Sequence, residues 1–77
     1  MAEILNNLVI YFNKHQDIKQ TFESFGIIFD KYAGDGYIVN PNSIINFSTI
    51  IMFLEELKNI DQFAFNKINN MYYLTIL

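Results

Sequence analysis

Few side chains in this chain could carry out acid–base or covalent chemistry. His15 and Asp17, in His-Gln-Asp, form the one imidazole–carboxylate combination. Two residues apart in a turn, they could touch. A general base also needs a nucleophile or a substrate pocket within reach, and nothing around this pair marks one. Glu55 and Glu56 are adjacent in a helical stretch, so about 100° of helix rotation separates them and they cannot converge on one reacting atom. They read as its wet side. Asp30 and Asp35 are explained by helix solvation and by turn chemistry. The glycines Gly26, Gly34 and Gly36 do not have the spacing of a phosphate-cradling loop. Cysteine and arginine are absent, which removes disulfides, thiolate zinc sites and bidentate guanidinium clamps. The expectation is a non-enzymatic protein with no catalytic residue, no cofactor and no bound metal.

One stretch needs separate treatment, Phe29–Asn40, "FDKYAGDGYIVN". A calcium loop wants oxygen ligands at positions 1, 3, 5 and 12, glycine at 6 and an aliphatic residue at 8. With Gly36 at position 6, Ile38 falls at 8 and Asp35 at 5. In these dozen residues the chain resembles the EF-hand family. That resemblance would imply helix–loop–helix units that, without metal, grip a target helix as myosin light chains do. In the same register, however, Lys31 stands at position 1, Ala33 at 3 and Asn42 at 12. Starting from Asp30 puts Asp35 in the glycine's place and Pro41 in the glutamate's. Too little negative charge remains to offset the dehydration of Ca²⁺, so no calcium is expected and "AGDG" reads as a stop and turn.

At 77 residues the chain makes one domain, 1–77, and a domain this small buries only about 60% of its unfolded surface. Yet 52% of its residues are hydrophobic and 17% aromatic. A surplus of apolar residues over interior volume points to burial against another chain. The net charge of −3 comes from 5 basic residues, all lysine and scattered singly, against 8 acidic ones. A nucleic-acid binder normally shows a basic stripe, so this balance argues against nucleic acid. The longest apolar runs, Leu8–Phe12 and Ile50–Leu54, fall far short of the roughly 20 residues of a membrane span. The first residues lack the basic region of a secretory signal. A cytoplasmic location is therefore expected. Abundant Ile, Asn and Phe, with lysine in place of arginine, are what an AT-rich genome imposes. With the small size, that bias is in keeping with a viral or mobile-element origin.

Hydrophobic spacing sets the expected elements. Ile4, Leu5, Leu8, Tyr11 and Phe12 share one face of a helix over residues 3–13. Asp17 would cap a second helix carrying Ile18, Phe22, Phe25, Phe29 and Tyr32, stopped by Gly34. A strand over residues 27–32 is the competing assignment. Tyr37–Val39 reads as a short strand. Asn42 or Ser43 would cap a third helix over Ser43–Asn59, apolar nearly all round. The tail scatters on a helical wheel but makes sense as a hairpin turning at Asn69-Asn70 in a type I′ turn. That register pairs Phe63 with Ile76, Phe65 with Leu74 and Lys67 with Tyr72, with Phe63, Phe65, Leu74 and Ile76 as a buried stripe.

The expected fold is α+β: three helices packed on a small antiparallel sheet formed by the C-terminal β-hairpin, with an all-α degenerate EF-hand-like lobe as the alternative. The third helix cannot bury every side in so small a chain, and the outer hairpin face offers further apolar residues. The expected partner-binding residues are Ile50, Met52, Phe53, Ile68, Met71 and Tyr73, and the expected partner is another protein, a second copy, or both. A winged-helix DNA binder, with residues 43–59 as recognition helix and 63–77 as wing, is the alternative function. Against it, that helix bears one lysine, Lys58, at its end, where a major-groove helix needs polar or basic side chains. The light-chain-like module is the third reading.

Overall fold

The computed structural model describes residues 2–77, with side chains from Ile4 onward. Its elements run α1 (Ala2–Asn6), β1 (Leu8–Tyr11), α2 (Gln16–Ser24), β2 (Phe29–Lys31), β3 (Gly36–Val39), α3 (Phe47–Asn59), β4 (Phe63–Ile68) and β5 (Met71–Ile76). The class is α+β, with the strands in one sheet of order β2-β3-β1-β5-β4. The sheet is mixed, not purely antiparallel: β1 pairs antiparallel with β3 and parallel with β5. An all-α lobe is excluded, and the calcium-like stretch is the β2–β3 hairpin, with Phe29 opposite Val39 and Lys31 opposite Tyr37.

The helix expected over residues 3–13 stops at Asn6, and Leu8–Tyr11 is the central strand. Leu8, Val9 and Ile10 are buried on consecutive positions. A strand whose side chains are buried on both faces loses its period-2 signature and mimics a helical stripe. The β-branched and aromatic content of "LVIY" favours the extended chain.

The second helix is shorter than expected. Its apolar side is Ile18, Phe22 and Phe25, and Lys19 pairs with Glu23 one turn on at 3.1 Å. His15, not Asp17, occupies its N-cap position, with Asp17 in the first turn. It ends because Gly26 takes φ +97°, a conformation costly to any residue with a Cβ. The strand alternative for residues 27–32 is the one the chain adopts, and Gly34 (φ +67°) serves the hairpin turn instead of a helix end.

The third helix begins at Phe47, later than expected. Asn46 caps it, its side-chain oxygen accepting the Thr49 N–H at 3.0 Å. Thr49 is buried and its hydroxyl donates to the Ile44 carbonyl at 3.1 Å, which pins the helix start to the loop before it. Ser43 instead bonds the Ile28 backbone.

The C-terminal hairpin has the expected register throughout. Only Asn69 takes a positive φ, +56°, so the turn is not type I′, which needs it at both central residues.

Alternation in the paired strands defines two faces. On one lie Leu8, Ile10, Val39, Leu74 and Ile76, which with Phe12, Leu5, Ile27, Phe22 of α2 and Phe53 of α3 form the core. Phe12, Phe22 and Phe53 join as an aromatic seam, ring centroids 5.9 and 4.9 Å apart. Both longer helices thus lie on this face. Phe53, expected to meet a partner, is only 2% exposed. The molecule measures 27 × 27 × 19 Å, the thickness of one sheet and one helix layer, since a helix with its side chains is about 10 Å across.

Phe53→Ala should cost about 3–5 kcal/mol by urea unfolding, because it removes a ring from the seam. Phe47→Ala, on the wet side of the same helix, should cost less than about 0.5 kcal/mol.

A candidate interaction surface

The strand positions of the second face are Val9 and Tyr11 on β1, Asp30 on β2, Gly36 and Ile38 on β3, Ala64, Asn66 and Ile68 on β4, and Met71, Tyr73 and Thr75 on β5. None of these joins the core. The residues flanking β2 on the same side, Ile28 and Tyr32, are exposed. This face carries Val, Ile, Met and Tyr with a single charge among its strand positions, Asp30, whose carboxylate accepts the Asn40 side-chain N–H at 2.7 Å. Among the described side chains, the other charged ones lie on α2 and α3, in turns or on the helix-covered face.

At the middle of the face Val9 is fully buried (0% exposed) although α2 and α3 both pack on the opposite face. Its register neighbours are Ile38 and Tyr73, and three tyrosines gather there. Tyr11 lies opposite Gly36, and its ring occupies the space that a side chain at 36 would need: a Cβ built there would sit 2.8 Å from the Tyr11 Cε1. Gly36 therefore lets the Tyr11 ring lie across β3. Tyr32 leaves β2 with its N–H bonded to the Gly36 carbonyl at 2.9 Å. The Tyr73 hydroxyl is held above the ordinary tyrosine pKa, first by its hydrogen bond with Tyr32, then by partial desolvation and the neighbouring Tyr32 and Tyr11 hydroxyls. It stays a neutral donor and acceptor throughout the physiological range.

The six residues expected to bind a partner do not form one surface. Ile68, Met71 and Tyr73 share the uncovered sheet face, with Ile68 58% exposed. Ile50, Met52 and Phe53 belong to α3 on the opposite side of the sheet. There Phe53 is core and Ile50 packs half-buried against it, while Met52 is open with Phe47 and Ile51. The sequence alone does not place Tyr11, Tyr32 and Ile38 here, because their place on this face follows only once Leu8–Tyr11 is a strand and pairs with β3.

The expected buried stripe is half right. Leu74 and Ile76 are buried, but Phe63 and Phe65 are 41% and 45% exposed. They project on the helix side from β4, the edge strand, and neither joins the core beneath the helices. The Phe65 ring stacks on Tyr72 at 5.8 Å.

The residues first considered for chemistry stand apart. The His15 ring lies 3.3 Å from the Leu77 carbonyl oxygen, Asp35 is in the β2–β3 turn, and Glu55 and Glu56 are on α3. Among the described residues no group of three or more His, Asp or Glu side chains stands close enough to hold a metal ion, and no helix is long and apolar enough to cross a membrane. Comparison with protein-family models, with curated proteins and with solved structures finds no match.

The raised Tyr73 pKa has a consequence for stability. The folded state holds this proton more tightly than the unfolded chain, whose tyrosines titrate near the reference value of 10.0. The contribution is therefore complete below pH about 10 and lost as pH rises through the folded value. Spectrophotometric titration of the native protein should show a tyrosinate step later than that of the unfolded chain. Tyr73→Phe should abolish that step, and Tyr32→Phe should move it down.

Proposed function

We propose that this protein is a non-enzymatic interaction module, an adaptor, regulatory subunit or inhibitor working in the cytoplasm, whose uncovered sheet face docks on another protein. The observation that carries the reading is that face itself: Ile38, Met71, Ile68 and three tyrosines, with one charge among its strand positions, on the broad side of a two-layer molecule. Tyrosine and methionine are enriched where proteins meet. The broad dimensions, 27 Å each way, are of the order needed for a standard interface of about 800 Å² per partner. The occupant is a different protein presenting an apolar layer, with hydrogen-bonding groups near its centre for the Tyr11, Tyr32 and Tyr73 hydroxyls. Nucleic acid is disfavoured, because no lysine stands at a strand position of this face and phosphate contacts require cations.

Photo-crosslinkers placed at Ile38 and Tyr73 in the native cell should couple to one protein, and the same crosslinker at Phe47 should not. With that protein purified, Met71→Glu and Tyr73→Glu should each weaken binding by about 30-fold or more, with the circular dichroism spectrum retained. Binding that survives both changes and fails with Phe47→Glu or Ile51→Glu would move the site to α3. Salt-sensitive retention on heparin would favour the DNA reading.

A further inference from the structure

The two edges of the sheet are treated differently. β2 is three residues long, two of them charged (Asp30 and Lys31). The chain leading into it is tied to the 40–44 loop: Ile28 N–H donates to the Ser43 Oγ at 2.7 Å and the Ile28 carbonyl accepts the Asn40 N–H at 2.7 Å. Short, charged and flanked strands are how proteins blunt an edge. β4 has none of these devices. It is six residues long, pairs with β5 without a bulge, contains no proline and bears one charge, Lys67. Even that lysine is folded back, its Nζ 5.5 Å from the Tyr72 ring centroid on its own sheet.

Hydrogen-bond parity shows which backbone groups of β4 are free. The Tyr72 N–H donates to Asn7 beside β1, and the Leu77 N–H donates to Gln62 beside β4. Even-numbered residues of β5 therefore bond β1, and odd-numbered ones bond β4. By the register, Ala64, Asn66 and Ile68 direct their N–H and C=O groups at β5, while Phe63, Phe65 and Lys67 direct theirs outward.

This row is self-complementary. We propose that β4 pairs antiparallel with β4 of a second copy about a two-fold axis at Phe65, joining two five-stranded sheets into one. Phe65 then faces Phe65 of the copy, and Phe63 faces Lys67 in both directions. Each of these three pairs has its backbone groups facing out, so each makes two hydrogen bonds. The half-exposed Phe65 rings meet across the axis, and each Lys67 ammonium lies beside a Phe63 ring, a cation–π arrangement. On the other face Ala64 meets Asn66. Lysine is the only charge in the strand and it faces phenylalanine, so no like charges oppose despite the net charge of −3 on each chain. The axis runs perpendicular to the sheet. Both uncovered faces therefore end up on the same side. The pairing does not depend on what docks there.

Sedimentation equilibrium and amide hydrogen exchange test this on the whole chain. Two variants are used: Phe65→Lys, and a synthetic chain with an N-methyl group on the Phe65 nitrogen. At high micromolar concentration the wild type should sediment at twice 9.1 kDa. The Phe63, Phe65 and Lys67 amides should exchange slowly, and more slowly as concentration rises. Both variants should be monomers with an unchanged circular dichroism spectrum. If Phe65→Lys unfolds, the N-methyl chain and the wild-type amides decide. A monomeric wild type overturns the proposal, including one in which those amides gain protection only when a different protein is added. So does a dimer in which those amides exchange freely, or one that survives both changes, since its contact lies elsewhere.

Discussion

A strand at the centre of a sheet has neighbours on both edges and side chains on both faces, so it must be apolar along its length. In this chain Leu8–Tyr11 holds that place, and the rest of the architecture follows from it. One side of the strand supplies Leu8 and Ile10, on which Phe22 and Phe53 close. The other side supplies Val9, which lies away from α2 and α3 and is nonetheless dry. A backbone group left unpaired in such a position would be expensive. The parallel pairing with β5 and the antiparallel pairing with β3 therefore matter as much as the apolar contacts.

The two faces of the sheet manage apolar surface differently. On the helix side, aromatic rings from five elements or their flanks interlock: Phe12 meets Phe22, Phe29 and Tyr37, and Phe22 meets Phe53. On the open side, Tyr11 lies over a glycine and Tyr73 bonds Tyr32. Tyrosine suits that place because its ring shields the strand beneath while its hydroxyl still meets water.

Much of the local architecture was legible in the residues. The hairpin register came from alternation across Asn69-Asn70, and the strand at Tyr37–Val39 from β-branched and aromatic residues between turn signals. The calcium-like stretch could be set aside by counting ligands. What misled was periodicity. Ile4, Leu5, Leu8, Tyr11 and Phe12 fit a helical stripe, and the same residues fit a short helical turn followed by a strand buried on both sides. Local pattern cannot separate these, because the difference lies in partners more than twenty residues away. The helix starts slipped for a related reason. Asn42, Ser43 and Asn46 are all competent caps, and the choice went to Asn46 once Ser43 was engaged by Ile28. Alternation puts Phe63 and Phe65 with Leu74 and Ile76, but it identifies only which face a residue lies on, not whether a helix reaches over it. Of the candidate surface, the hairpin residues Ile68, Met71 and Tyr73 were found. Tyr11, Tyr32 and Ile38 are not legible there, since their place depends on a strand whose spacing also fits a helix.

The pairing of β1 with β5 bears on how the protein comes into being during synthesis. The central strand is made early, but its parallel neighbour is the last strand of the sheet. Until Tyr72–Thr75 emerge from the ribosome, Leu8–Tyr11 can have only β3 beside it, and the sheet is left with a raw apolar margin. Contacts of such long sequence separation are slow to form, and a nascent chain in that state invites chaperones and aggregation. The pairing of β1 with β5 can therefore form only after translation has passed β5.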